Sequence, residues 1–249
     1  MSSFNFPRTH TLPLIIRRNG TQLKGALVVV RGDQTSGIAE LAAELLGPAE
    51  NTCFSSLRSV RRQRSYLFGR CAAKLALQAL LPELDLRTIE IGRGVFEQPI
   101  VSCGQNQGWN VTISHTNSLA CALAFPTGHP MGVDVEQVDW ARYGTIVSQL
   151  SEQETKWVEA TTQYKLQLAT SLWTAKEALS KALCTGLMSP VKIYNLSEFR
   201  PLDSGKWEGL FENFGQYKAA TWWGNSHVLS VALPKRSLIC FERNVCELL

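Results

Sequence analysis

The sequence predicts an α+β protein built as two similar lobes, and three observations carry that reading. β-type runs stand at both ends of the helical stretches in the first half. The second half again reads strand, helices, strands. Between them, Pro126-Thr-Gly-His-Pro130 puts two prolines and a glycine into five residues. The lobes are therefore expected at 1–128 and 129–249, although neither half repeats the other by identity. With 249 residues and 45% apolar content the chain has ample material for buried cores. A formal charge of +4 is too mild for a dedicated nucleic-acid binder and favours a local anion site. The seven cysteines are odd in number and form no C-x-x-C pair, which argues against a disulfide framework or a zinc ribbon. No secretory h-region or bilayer-length apolar run occurs, so a cytoplasmic protein without a membrane span is expected.

Taken in order, residues 1 to about 24 read as mixed and irregular at the start. Ala26–Val30 then reads as a buried strand between Gly25 and Gly32, and Ile38–Leu46 as a short helix stopped by Gly47-Pro48. Ser59–Leu81 is helical, with Leu67, Cys71, Leu75 and Ala79 recurring every four residues. Arg61, Arg62, Arg64, Arg70 and Lys74 decorate it, and at about 100° per residue Arg70 and Lys74 fall away from the centre of the apolar stripe. Such a face is either a solvated basic surface or a phosphate platform. Gly92–Pro99 reads as a turn-rich connection. Gly108–His115 is a strand with a polar tip, and Leu119–Phe125 a second apolar strand. Ser114 and His115 point to opposite faces, so they form no nucleophile–base dyad, and no G-x-S-x-G elbow supports a hydrolase.

The second half opens with Gly132-Val-Asp-Val-Glu136, a strand by its valines, which sets Asp134 and Glu136 on one face about 7 Å apart. Two carboxylates so placed either reach water on an edge strand or share a cation. Ser151-Glu-Gln-Glu154 is a capping box that opens one helix. Leu166–Leu183 is a second, with Leu168, Leu172, Ala175, Leu179 and Leu183 inward and Glu177 and Lys181 on the opposite face. Glu177 and Lys181 are either an i,i+4 surface pair or part of a site. Beyond Gly186 the segments 191–199, 206–214, 217–223 and 227–233 read as an antiparallel meander, with turns at Asp203-Ser-Gly205, Gly215 and Gly224-Asn225. Three carboxylates with open positions suit Mg²⁺ completed by substrate phosphates, and Arg70, Lys74, His115 and Lys181 would spread the charge of a polyphosphate.

These residues also carry a family resemblance. Val111-Thr-Ile-Ser-His115, Gly132-Val-Asp-Val-Glu136 and Trp173-Thr-Ala-Lys-Glu-Ala-Leu-Ser-Lys181 resemble, in order, the three motifs of the Sfp-type 4′-phosphopantetheinyl transferases. Tyr66-Leu-Phe-Gly-Arg-Cys-Ala-Ala-Lys74 resembles the matching stretch of the enterobactin-synthase-component members, whose carriers serve siderophore or other secondary-metabolite synthesis. The resemblance spans about residues 60 to 235. It implies a monomer of two pseudo-symmetric α/β lobes with the active site between them. The N-terminal lobe would bind nucleotide phosphate, and the C-terminal lobe would be metal-binding and catalytic. The implied reaction is that of a holo-[acyl-carrier-protein] synthase type enzyme. It moves the 4′-phosphopantetheine arm of coenzyme A to a serine of an apo acyl- or peptidyl-carrier protein, releasing adenosine 3′,5′-bisphosphate.

Carried over residue by residue, Asp134, Glu136 and Glu177 would hold Mg²⁺. Ser114 and His115 would touch the nucleotide phosphates, and Arg62, Arg70 and Lys74 would bind the nucleotide end. Lys181 would neutralise the pyrophosphate, and Glu177 is the candidate base. Gln98, Thr116 and Cys184 depart from the pattern, standing where lysine, serine or cysteine, and glycine are usual. Two rival readings are a Mg²⁺-dependent nuclease or other phosphotransferase, and a non-catalytic carrier-protein adaptor. Against the nuclease, the only E-x-K after the aspartate, Glu154-Thr-Lys156, falls in an expected helix.

Overall fold

The computed structural model describes residues 7–32, 37–104, 108–203 and 205–249. The chain divides into two compact units, Met1–Gly128 with Ile239–Glu242, and His129–Leu238 with Arg243–Leu249. A short C-terminal segment thus belongs to the first unit and the tail after it to the second.

In unit 1 the elements are β1 (Arg8–Arg18), β2 (Thr21–Arg31), α1 (Ile38–Leu45), α2 (Pro48–Ser56), α3 (Val60–Gln78), β3 (Glu90–Arg93), β4 (Pro99–Ser102), β5 (Trp109–His115) and β6 (Leu119–Pro126). Unit 2 contains β7 (Gly132–Gln137), α4 (Trp140–Val147), α5 (Glu152–Ala160), α6 (Lys165–Ala182), β8 (Leu196–Asp203), β9 (Lys206–Phe211), β10 (Tyr217–Trp223) and β11 (His227–Pro234). The last strand, β12 (Leu238–Phe241), joins the sheet of unit 1.

That sheet runs β12-β1-β2-β6-β5, while β3 and β4 form a separate hairpin. The start expected to be irregular, residues 1–6, lies outside the described residues, while within the N-terminal stretch read as mixed, 8–18 form an eleven-residue strand paired along its whole length with β2. Its Leu12, Leu14 and Ile16 are buried, while Pro13 faces outward opposite Ala26. The period-2 alternation was present, and the proline masked it. The expected loop 92–99 is largely the β3–β4 hairpin and its turn. Helix α3 packs on β2, β5 and β6, bringing Leu67, Cys71 and Leu77 onto Val28, Val30 and Ala122.

The sheet of unit 2 runs β7-β11-β10-β9-β8 with all neighbours antiparallel, as the meander reading requires. Residues 191–194, expected to begin a strand, form a 3-10 turn ahead of it, and Ser204, in the first expected turn, lies outside the described residues. Helix α6 lies on β7, β11 and β10, burying Leu168, Leu172, Ala175 and Leu179. The capping box at Ser151 forms: the Glu154 amide donates to Ser151 Oγ (3.2 Å) and the Ser151 amide donates to Glu154 Oε2 (2.7 Å).

Apart from β1 and β12, which unit 1 adds, each unit follows the same plan of strand, three helices with the third longest, and two antiparallel strand pairs. In each, the final strand of the second pair runs beside the strand that precedes the helices, β6 beside β2 and β11 beside β7. Fold class and lobe plan therefore agree with the sequence reading. No helix among the described residues is long and apolar enough to cross a membrane.

Candidate functional site

Unit 2 gathers its charged groups where α6 crosses β7. The approach is permitted by Gly132, since a Cβ there would run into the backbone of Ala178 and Ala182 on α6. Residues i and i+2 of β7 share a face, and Lys181 and Glu177 lie one helical turn apart. Lys181 Nζ donates to Asp134 Oδ1 at 2.7 Å, so the lysine pairs across to the strand. Asp134 is buried, and Glu136 and Glu177 are partly so. Glu136 accepts from two side chains that the sequence reading did not assign to the site. Trp173 Nε1 donates to Glu136 Oε1 at 3.2 Å, and Arg142 of α4 pairs with Glu136 Oε2. The Thr174 and Ser230 hydroxyls (2.7 Å) and the Ser230 and Thr221 hydroxyls (2.8 Å) link the helix to the sheet beneath.

The electrostatics follow from this crowding. Burial pushes the Glu177 carboxyl up to about 8, with the charges of Asp134 and Glu136 acting in the same direction and Lys181 and Arg142 opposing. Burial likewise raises Glu136, against the bond from Arg142. This donor set fits a hard divalent cation, because three oxygen ligands that disfavour one another's charge gain most from sharing one. As they stand, Lys181 and Arg142 are paired with two of the three, and no group of three or more metal-capable His, Cys, Asp or Glu side chains is assembled among the described residues. A cation would therefore exchange with these ion pairs.

Arg142 was missed because α4 was missed. Its signal was Asp139, whose Oδ1 accepts from the Ala141 amide at 2.9 Å as an N-cap ahead of Trp140 and Tyr143. Glu154, the first residue of the E-x-K, is fully buried against Lys176 at 2.6 Å, which removes it from nuclease chemistry.

Residues 130–232 match the family model of the 4′-phosphopantetheinyl transferase superfamily. The match lies within unit 2 and takes in Asp134, Glu136, Glu177 and Lys181. None of the curated proteins matches the chain. Among solved structures, the chain is similar to a holo-(acyl-carrier-protein) synthase from Bacillus anthracis in complex with CoA (3′,5′-ADP), at 17% identity and TM-score 0.35, covering 47% of this chain and 97% of that one. A holo-ACP-synthase from Plasmodium yoelii gives 16% and 0.36 over 48% and 96% of the two chains. The holo-[acyl-carrier-protein] synthase of Thermotoga maritima gives 18% and 0.32 over 55% and 74%. These likenesses are too distant to argue from.

The remaining sequence-predicted residues lie in unit 1, outside that match. His115 is exposed at the end of β5, and Ser114 beside it is buried. The turn after them is held by Thr116, whose Oγ1 accepts from the Leu119 amide at 3.1 Å, so the threonine does the work of a turn residue. Arg61 donates to Asn117 Oδ1 (2.8 Å) and Arg64 to the Asn117 carbonyl (2.7 Å), tying α3 to this turn. Arg62 is exposed.

Lys74 requires correction. It is fully buried, with Nζ on Glu50 Oε2 (2.5 Å), the Leu45 carbonyl (2.7 Å) and the Leu86 carbonyl (3.0 Å), so its donors serve the core and not a phosphate. Arg70 is also packed inward, lying over the Tyr66 ring with Nε 3.5 Å from Glu50 Oε1. Helical spacing places both away from the centre of the apolar stripe of α3, and α2 covers that side with an acidic residue, Glu50. Gln98, standing where a lysine is usual, accepts from the Phe96 amide at 2.9 Å and shapes the β3–β4 turn.

Proposed function

We propose that this protein is an Sfp-type 4′-phosphopantetheinyl transferase, which moves the phosphopantetheine arm of coenzyme A to a serine of an apo acyl- or peptidyl-carrier protein. The observation that carries this reading is the placement of Asp134, Glu136, Glu177 and Lys181 at one crossing of α6 and β7, inside the segment that matches the superfamily model. Asp134, Glu136 and Glu177 would hold Mg²⁺, which when bound offsets charge on the pyrophosphate. Lys181, which pairs with Asp134 in the protein as it stands, would offer its ammonium to the same phosphate oxygens. Glu177 accepts the proton of the carrier serine as its oxygen bonds to phosphorus and adenosine 3′,5′-bisphosphate leaves. A carboxyl raised toward neutral pH suits that task better than an ordinary glutamate. Trp173 and Arg142 orient Glu136. Ser114 and His115 are the proposed contacts of the nucleotide phosphates, and Arg62 and Arg70 those of the nucleotide end.

The test is incubation of the protein with coenzyme A, Mg²⁺ and each of several apo carrier proteins, followed by the carrier's intact mass. A gain of one phosphopantetheine, absent when the carrier serine is replaced, is expected. No gain with any carrier would overturn the proposal.

A further inference from the structure

Both units contain the same buried ion pair at the same place in the shared plan. In unit 2, Lys176 of α6 is fully buried and its ammonium uses three acceptors: Glu154 Oε2 (2.6 Å), Asn195 Oδ1 (2.9 Å) and the Gln149 carbonyl (3.1 Å). Glu154 is fully buried as well. Its Oε2 closes the capping box of α5, and its Oε1 accepts from the Leu196 amide at the start of β8 (2.9 Å).

In unit 1, Lys74 of α3 meets Glu50, the third residue of α2. Glu50 Oε2 accepts from the Gly47 amide (3.1 Å) and Oε1 from the Ile91 amide of β3 (3.1 Å). Lys74 reaches the Leu45 carbonyl at the end of α1, as Lys176 reaches Gln149 beyond α4. Each brace ties the third helix to the end of the first, the start of the second and the strand that follows.

A buried ion pair adds little net stability over apolar residues of the same size, so its recurrence calls for another gain, that of specifying one arrangement. In unit 2 the next residue is Glu177, about 100° around the helix from Lys176. Pinning Lys176 on its buried side fixes the rotation and register of α6, and with them the direction of Glu177 and Lys181. In unit 1, Leu75 and Ala79 stand one and five residues after the lysine, and the buried run of β2 from Ala26 to Val30 is wholly apolar. The brace is therefore present there without the acidic cluster.

We infer that Lys176, held by Glu154 and Asn195, is a positioning residue that sets α6 so that Glu177 and Lys181 face Asp134 and Glu136. This rests on the proposed function, in which those residues hold the metal. The test uses the full chain and measures Mn²⁺ affinity by electron paramagnetic resonance beside thermal unfolding, for wild type, Lys176→Met, Asn195→Ala and, as the internal control, Lys74→Met. Both lysine variants should unfold at lower temperature, but only Lys176→Met should weaken Mn²⁺ binding, by about tenfold or more, as loss of outer-sphere support does elsewhere. Should Lys176→Met fail to fold, Asn195→Ala removes one acceptor and decides the matter by a smaller loss of affinity in the same direction.

Wild-type affinity in Lys176→Met, or in Asn195→Ala where the lysine variant does not fold, would overturn the inference, and so would an equal loss in Lys74→Met. A wild-type protein that binds no Mn²⁺ would instead overturn the proposed metal site, and the inference with it.

Discussion

Glu177, the proposed base, is a carboxyl whose titration is strongly displaced by its surroundings. Its carboxyl lies near 8 in the folded chain, first through burial and then through Asp134 and Glu136, against an unfolded value of 4.5. A raised folded value favours folding most below the unfolded pKa, and that contribution is lost as pH rises through the folded one. The metal-free protein should therefore lose stability between about pH 5 and 8 from this group. Denaturant titrations at several pH values check this, and Glu177→Gln should flatten the dependence. Metal binding needs the carboxylate, so Mn²⁺ affinity should rise with pH and level off above about 8.

A second prediction concerns the end of the same helix. Cys184 holds φ +54°, its amide bonds the Lys181 carbonyl (3.1 Å), and the Thr185 amide bonds the Ser180 carbonyl (3.0 Å), the paired closure that usually has glycine in the left-handed place. The departure noted in the sequence leaves the helix end intact, at a conformational cost. Cys184→Gly should stabilise the protein by about 0.5 kcal/mol, the left-handed cost of roughly 1–2 kcal/mol less the added freedom of an unfolded glycine. Thermal unfolding of the reduced proteins measures it.

At the scale of elements, the site depends on how closely α6 lies on β7. Gly132→Ala would push a methyl into the Ala178 carbonyl and the Ala182 amide, both backbone groups that cannot rotate away. It should cost roughly 1–3 kcal/mol of stability and also lower transfer activity, because the helix that shifts carries Glu177 and Lys181. Carrier-loading rates beside chemical denaturation test both effects. This element pair was legible in the sequence, since the valines of 132–136 gave a strand and the leucine spacing of 166–183 gave a helix. The partners of the lysines were not. Spacing shows which residues lie opposite an apolar stripe, but it does not show that α2 brings Glu50 over that side of α3. Helix α4, and Arg142 with it, was hidden by Gly144 and Thr145 in a segment of only eight residues. Strand β1 was hidden by Pro13, although Leu12, Leu14 and Ile16 alternate through it.

On the scale of the whole molecule, two units share one plan and one buried brace, while the acidic cluster and the superfamily match lie in unit 2. Sequence identity between the halves did not reveal the repeat, because the plan is carried by element order and by four residues, Glu50 with Lys74 and Glu154 with Lys176, far apart in each half. The proposed function requires Asp134 and Glu177 for transfer, whatever each adds to stability. Its most direct measurement is the intact mass of an apo carrier protein after incubation with coenzyme A, Mg²⁺ and wild type, Asp134→Ala or Glu177→Ala, each first shown to be folded by circular dichroism. One added phosphopantetheine is expected with wild type and none with either folded variant; loading by the variants at the wild-type rate would mean that neither carboxylate takes part in transfer.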